Sequence, residues 1–285
     1  MSSKALLMAE DREFEFSDAN FDRIGQFVSE NTGIALSNKK KDMVYGRLAK
    51  HVRKSGFGHF DAYCDALESG DEHEQEFLIN AITTNLTAFF RENHHFEYLA
   101  TTLIPKLLKK KAHNKKLRIW SAGCSTGEEA YSIAMVLKES IPDFDEWDIK
   151  ILATDLDANV LAHGRRGIYR AESIVDISDN RLKRWFRRGR GEQSGLVKVS
   201  SELQQMIRFK RLNLLHEWPM KGPFDLIFCR NVVIYFGREV QTILFDRYAD
   251  ILASDAYLFI GHSETLYKMT TRFASLGNTI YRKNR

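Results

Sequence analysis

From residue 115 onward the chain alternates between short apolar runs and helical stretches, and few folds accept that order. Residues 117–122 read as a strand and 128–140 as a helix carrying Ile133, Val136 and Leu137. A second strand is expected at 148–154 and a helix at 158–165. A third strand at 224–229 precedes a helix over 238–252 and another strand at 257–261. This β-α-β-α order predicts an α/β domain, a doubly wound, mainly parallel sheet with helices on both faces. Ligands of such sheets bind beyond the C-terminal ends of the strands. Residues 187–209 break the alternation. There Gly189, Gly191 and Gly195 lead into Leu196-Val197-Lys198-Val199, and Met206-Ile207-Arg208-Phe209 follows, which reads as a small antiparallel β insertion with glycine turns.

Upstream the pattern is all-helical. Ser17-Asp18-Ala19-Asn20 caps a run of Phe21, Ile24, Phe27 and Val28, which Asn31-Thr32-Gly33 ends. A helix over 39–54 puts Val44, Leu48 and Val52 on one face, and Lys40, Arg47, Lys50 and Lys54 form a stripe beside them. Further helix is expected at 59–67 and 72–82. The predicted organisation is therefore a helical domain at 1–83, a linker at 84–114 that contributes to the site, and the α/β domain at 115–285, with its β-subdomain at about 180–212.

Charge narrows the class of partner. Lys and Arg number 42 and Asp and Glu 38, a net +4 that is too modest for a dedicated nucleic-acid binder. The basicity is local: Lys39, Lys40, Lys41, Arg47, Lys50, Arg53 and Lys54 share one helix with a single acid, Asp42. No apolar run approaches the ~18 residues of a membrane span, and the N-terminus turns acidic too early for a signal-peptide core. Cys64, Cys124 and Cys229 form no CxxC pair, which argues against a disulfide scaffold or zinc site and predicts a cytoplasmic protein.

The strongest motif is Trp120-Ser-Ala-Gly123-Cys-Ser-Thr-Gly127-Glu-Glu129, which follows a strand and opens a helix. Small residues admit a ligand to the backbone, and the helix start offers free N–H groups. The spacing is neither G-x-G-x-x-G nor a phosphate loop, and Glu128-Glu129 repels phosphate while suiting a ligand with an α-amino group. At the end of the second strand, Asp155 is expected to hold a ribose diol and Asp157 to cap the next helix. Arg230 and Asn231 stand at the end of the third strand, above the site. Asn85, Thr87 and Arg91 lie at the junction of the two halves, near Phe89 and Phe90. Taken singly, each segment has a plain structural reading as a turn, a cap, an ion pair or a docked linker. Cys124 and Cys229 both approach this site in sequence terms, His94-His95 reads as a cap or packing pair rather than a metal site, and Thr265 sits where a G-x-S-x-G elbow needs glycine.

Together these segments resemble the CheR family, the chemotaxis receptor glutamate O-methyltransferases that use S-adenosyl-L-methionine. The resemblance rests on TNLTAFFRE at 84–92, WSAGCSTGEEAYS at 120–132, GIYR at 167–170, FDLIFCRNVVIYF at 224–236 and GHSE at 261–264, and it covers nearly the whole chain. It implies a Rossmann-like methyltransferase domain behind an all-α domain, S-adenosyl-L-homocysteine as product, and a monomer that neither binds nucleic acid nor inserts into membranes. By similarity Asn85, Thr87 and Arg91 contact the amino-acid end of the cofactor. Gly123 admits it, Glu129 meets its amino group, Asp155 its ribose, and Arg230 and Asn231 line the site. Asn213 and Leu214 flank the adenine, an expectation from the resemblance alone, and Tyr235 and Arg91 lie near the transferred methyl as catalytic residues.

The resemblance also assigns surfaces. Arg47, Lys50, Arg53 and Lys54 would bind the acidic methylation helix of a chemoreceptor. Gly189, Gly191, Gly195, Val197 and Val199 match members whose β-subdomain docks a receptor C-terminal tether peptide, although Ser200 replaces a frequent arginine. Two other readings stay open at this level. One is a nucleic-acid methyltransferase, against which stand the modest charge and the missing Asn/Asp-Pro-Pro-aromatic motif. The other is a non-catalytic sensor that binds the cofactor.

Overall fold

The computed structural model describes residues 12–284, which fall into two compact units divided between Thr84 and Asn85. Among its described residues the first unit holds four α-helices: α1 (Asp18–Thr32), α2 (Lys41–Lys54), α3 (Phe60–Glu68) and α4 (Glu72–Ile82). Ser17 and Asn20 form the capping box of α1, and Gly33 ends it in the left-handed conformation. Asp71 caps α4 by accepting from the amides of His73 and Glu74. Val44, Leu48 and Val52 are fully buried with Ile24, Val28 and Leu78. Burial of each such side chain contributes about 1.5–3 kcal/mol, which is what holds short helices together.

The second unit contains a seven-stranded sheet. Its strands, in chain order, are β1 (Lys116–Ala122), β2 (Asp148–Asp155), β6 (Ile207–Arg211), β7 (Phe224–Cys229), β8 (Leu252–Ile260), β9 (Phe273–Ser275) and β10 (Ile280–Lys283). The spatial order is β6-β2-β1-β7-β8-β10-β9, parallel from β6 to β8, with β10 antiparallel to both neighbours. Alternate strand residues feed opposite faces. Ile119, Leu226 and Phe228 pack with α7 (Glu128–Ser140), whereas Trp120, Ile227 and Cys229 pack with α11 (Arg238–Ile251). Helix α8 (Ala158–Arg166) follows β2. No helix among the described residues is long and apolar enough to cross a membrane.

Two expectations change. The β insertion is a three-stranded antiparallel sheet ordered β3-β5-β4, from β3 (Ile168–Arg170), β4 (Phe186–Arg188) and β5 (Leu196–Val199), flanked by α9 (Asp179–Trp185) and α10 (Ser201–Met206). It therefore begins before residue 180. Met206 ends α10, and Ile207–Arg211 leaves the insertion to form the edge strand β6 beside β2. A short alternating run fits either sheet equally well, and pairing partners remote in sequence decide the matter. The stretch 84–114, expected as a linker, carries α5 (His94–Tyr98), one π-helical turn (Leu99–Leu103) and α6 (Ile104–Lys111). Phe96, Leu99, Leu103, Ile104 and Leu107 bury themselves in the core of the second unit, because their spacing makes an apolar helical face.

Candidate active site

The strand order reverses at β1: the chain passes from β1 outward to β2, then returns to β7 on the other side. The crevice outside these strand ends is where an open α/β sheet takes its ligand. Beyond β1, the amides of Gly123 and Cys124 both donate to the Thr154 carbonyl, at 2.8 and 2.9 Å. Gly123 has φ +83°, and a Cβ built there would lie 2.3 Å from Val232 Cγ2. Gly127, the N-cap of α7, has φ +100°, and a Cβ there would meet Gly164 Cα at 3.1 Å. Both glycines are thus fixed by conformation and by close approach.

Asp155 ends β2 facing this turn. Its carboxylate accepts from the amides of Ser125 (2.8 Å) and Asp157 (3.1 Å), and burial pushes its carboxyl up against those bonds. These amides, with that of Leu156 beside them, use only part of a carboxylate's acceptor capacity, and a diol can still be received. Asp157 caps α8 through the amides of Asn159 and Val160, and also accepts from the Asn85 side chain at 2.9 Å. Ser125 Oγ donates to the Asn85 carbonyl at 3.0 Å. Asn85 therefore ties its own segment to the ends of β1 and β2. Asn213 turns its side-chain oxygen to the Leu215 amide, and the Leu214 side chain lies in the α11-facing core.

Arg230 is the hub of the other wall. Its side chain is 2% exposed, and it reaches Glu129 Oε2 and Glu92 Oε2, each at 3.2 Å, while also donating to the Arg91 carbonyl. Glu129 accepts from Ser121 Oγ at 2.6 Å. Burial pushes the Glu129 carboxyl up, and Arg230 and Ser121 restrain it. Burial alone would raise Glu92 as well, but His262 and Arg230 outweigh it and hold that carboxyl down at about 2. Arg91 is half-buried and its guanidinium donates to the Leu86 carbonyl at 2.7 Å, folding the 85–92 segment on itself. Thr87 is half-buried on that segment, and Tyr235 closes the 3-10 turn Val233–Tyr235 beyond β7.

Several features of the site carry no local sequence signal. Phe90, Glu92, Ser125 and Asn231 all have φ between +49° and +58°, and such backbone gathers at binding and catalytic sites. Glu92 and Glu264 sit inside quoted motifs yet act through partners far along the chain. His262 Nδ1 meets Glu92 Oε1 at 2.7 Å. His95 is fully buried against the Asn278 carbonyl, which fits packing, and its pKa is lowered to about 4 by burial and by Arg230. With His94 it borders Glu92, whose carboxylate Arg230 and His262 already engage. Cys124 and Cys229 are buried in the cores, so neither thiol is open to the site, and burial holds both in the neutral form.

The expected surfaces divide. On α2, Lys50 and Lys54 are exposed and Arg53 pairs with Glu13, but Arg47 donates to the Ala81 and Thr83 carbonyls at 3.0 and 2.9 Å. Arg47 thus satisfies the C-terminal end of α4. In the small sheet Val197 and Val199 are 2% exposed and face the core, so their side chains are not on the surface. Gly191 and Gly195 adopt left-handed turns, and a Cβ at Gly189 would collide with the Gln193 carbonyl. Strand β4 lies at an edge of that sheet.

Comparison with known proteins finds two family models. "CheR methyltransferase, all-alpha domain" matches residues 19–83, and "CheR methyltransferase, SAM binding domain" matches residues 85–282. The chain is 42% identical to the chemotaxis protein methyltransferase of Escherichia coli over 97% of its length and 95% of that protein's. It is 40% identical to chemotaxis protein methyltransferase 2 of Pseudomonas aeruginosa over 95% of each chain. A third relative, the chemotaxis protein methyltransferase of Borreliella burgdorferi, is 41% identical over 86% of this chain and 87% of its own.

Proposed function

The chain belongs to the CheR family of S-adenosylmethionine-dependent methyltransferases of chemotaxis, and from that premise we propose that it methylates glutamate side chains of chemoreceptors. The products would be glutamate methyl esters and S-adenosylhomocysteine. The observation that carries this reading is the pair of carboxylates, Glu129 and Asp155, on either side of a Gly123 turn too tight for a Cβ. That pair of acceptors fits the cofactor: Glu129 suits its amino group and Asp155 its ribose, with Asn85, Thr87 and Arg91 on the amino-acid side. Arg230 pairs with Glu129 at 3.2 Å. Bound there, S-adenosylmethionine supplies an electrophilic methyl group on a sulfonium.

The residues have little proton work to do. A substrate glutamate with pKa about 4.3 is a carboxylate in all but about one molecule in 500 at pH 7, so no general base is required. What remains is alignment and exclusion of water. The Arg91 guanidinium, anchored at the Leu86 carbonyl, offers a planar fork for orienting a carboxylate. Tyr235 stands as the second residue near the reacting groups. Charge is neutralised during transfer, so an orienting contact serves better than a strong ion pair with the substrate.

One assay tests the substrate readings: release of base-labile methanol from receptor-containing membranes incubated with labelled cofactor. A base-stable label, or none, would sink the glutamate reading. On the substrate side, Lys50, Arg53 and Lys54 are exposed cations of α2 that suit an acidic receptor helix, and Arg53 already pairs with Glu13. Lys50→Glu with Lys54→Glu is expected to raise receptor KM about threefold to tenfold and flatten its salt dependence. Unchanged KM would remove α2 from the substrate surface. Docking of a receptor C-terminal peptide would use the backbone edge of β4 by strand addition, and truncated receptors should then show a raised KM in the same assay.

A further inference from the structure

We infer that Glu264, from the loop after β8, is a positioning residue for the turn that carries Asn231 and Tyr235; this rests on the role given to Tyr235 above. Its side chain is buried. One carboxylate oxygen accepts from the amides of Asn231 (3.0 Å) and Gly261, and the other from the amide of Ile234 at 3.2 Å. The donors come from two loops, those following β7 and β8. The loops touch so closely that a Cβ at Gly261 would lie 2.8 Å from the Asn231 nitrogen. Asn231 takes φ +58°, and the Tyr235 amide closes onto the Val232 carbonyl at 3.2 Å. The turn is thus a concave nest of inward-pointing amides, and Glu264 fills it as a bound anion would. Burial pushes the carboxyl up, while these amides favour its charged form. Without the carboxylate these amides lose their acceptor, and the turn that carries Tyr235 is left to its own backbone bonds and to Gln241, which donates to the Val233 and Phe236 carbonyls at 2.9 Å.

Glutamine has the same size but brings an NH2 group against inward-pointing amides, so Glu264→Gln keeps the packing and breaks the nest. It is expected to lower kcat roughly tenfold to a hundredfold while cofactor KM moves less than about threefold. The decisive measurement is a double-mutant cycle with Tyr235→Phe. If Glu264 acts through Tyr235, the kcat loss from Tyr235→Phe shrinks in the Glu264→Gln background. Losses that simply multiply would overturn the positioning role and leave that of Tyr235 intact. A Tyr235→Phe enzyme with full kcat would instead remove the role of Tyr235, and this inference with it. Wild-type kcat in Glu264→Gln would also overturn it. Should that variant not fold, hydrogen exchange in the wild-type chain decides. Slow exchange at the Asn231 and Ile234 amides supports the nest, and exchange at the rate of an open loop refutes it.

Discussion

Arg230→Met should unfold more easily and lose most of its affinity for S-adenosylhomocysteine. Methionine fills much of the space but leaves two carboxylates, Glu129 and Glu92, buried without the guanidinium that lies 3.2 Å from each. Removing one member of a buried charge network costs about 3–5 kcal/mol, because the remaining charges keep their desolvation penalty. The Glu129 carboxyl, already pushed up by burial, loses its main restraint and takes a proton more readily. A protonated Glu129 no longer suits an ammonium group, so affinity is expected to fall on the order of tenfold to a hundredfold. Arg230→Lys should rescue little, since one ammonium cannot span Glu129, Glu92 and the Arg91 carbonyl as a planar fork does. Adding Glu92→Gln to Arg230→Met should recover stability without recovering binding. Urea unfolding and calorimetry read both quantities, and a variant within about twofold of wild type in affinity would refute the hub assignment.

Gly123→Ala is expected to be nearly as damaging for a different reason. The position has φ +83°, which strains any residue with a Cβ, and that Cβ would lie 2.3 Å from Val232 Cγ2. Left-handed strain costs about 1 kcal/mol and forced overpacking about 1–3 kcal/mol more. Val232 follows Asn231 in the turn beyond β7, so the displacement reaches the side chains that line the site. Melting temperature and cofactor affinity should fall together. Pairing Gly123→Ala with Val232→Ala separates the two costs: the clash is relieved and the backbone strain stays. If the double variant were no more stable than the single one, the close approach would not be the reason for glycine here.

Much of the local structure was legible because it depends on short-range rules. Helix α7 begins after a glycine turn and carries its apolar residues at helical spacing, and Asp157 does cap α8. The edge strand β6 reads from sequence as part of the insertion, because Met206 to Phe209 shows alternation but not partner, and β2 lies more than fifty residues upstream. Strands β9 and β10, of three and four residues, are too short for periodicity to mark. From sequence Arg47 reads as part of the basic stripe expected to bind a receptor helix. What the stripe could not show is that the α4 carbonyls come within 3.0 Å of its guanidinium.

The sequence by itself determined the α/β alternation, the all-helical first unit, the glycines at the strand-to-helix turn and the identity of the acids at the strand ends. All of these follow from hydrophobic period, chain conformation and charge type, which neighbouring residues express together. Only the tertiary structure decided which charges share a guanidinium, which amides a buried carboxylate satisfies and which backbone is held left-handed. Arg230 lies 101 residues from Glu129 and 139 from Arg91, and Glu264 lies 33 from Asn231. Burial demands that such polar groups be paired, but it leaves the choice of partner to the packing of strands and loops that no local pattern records.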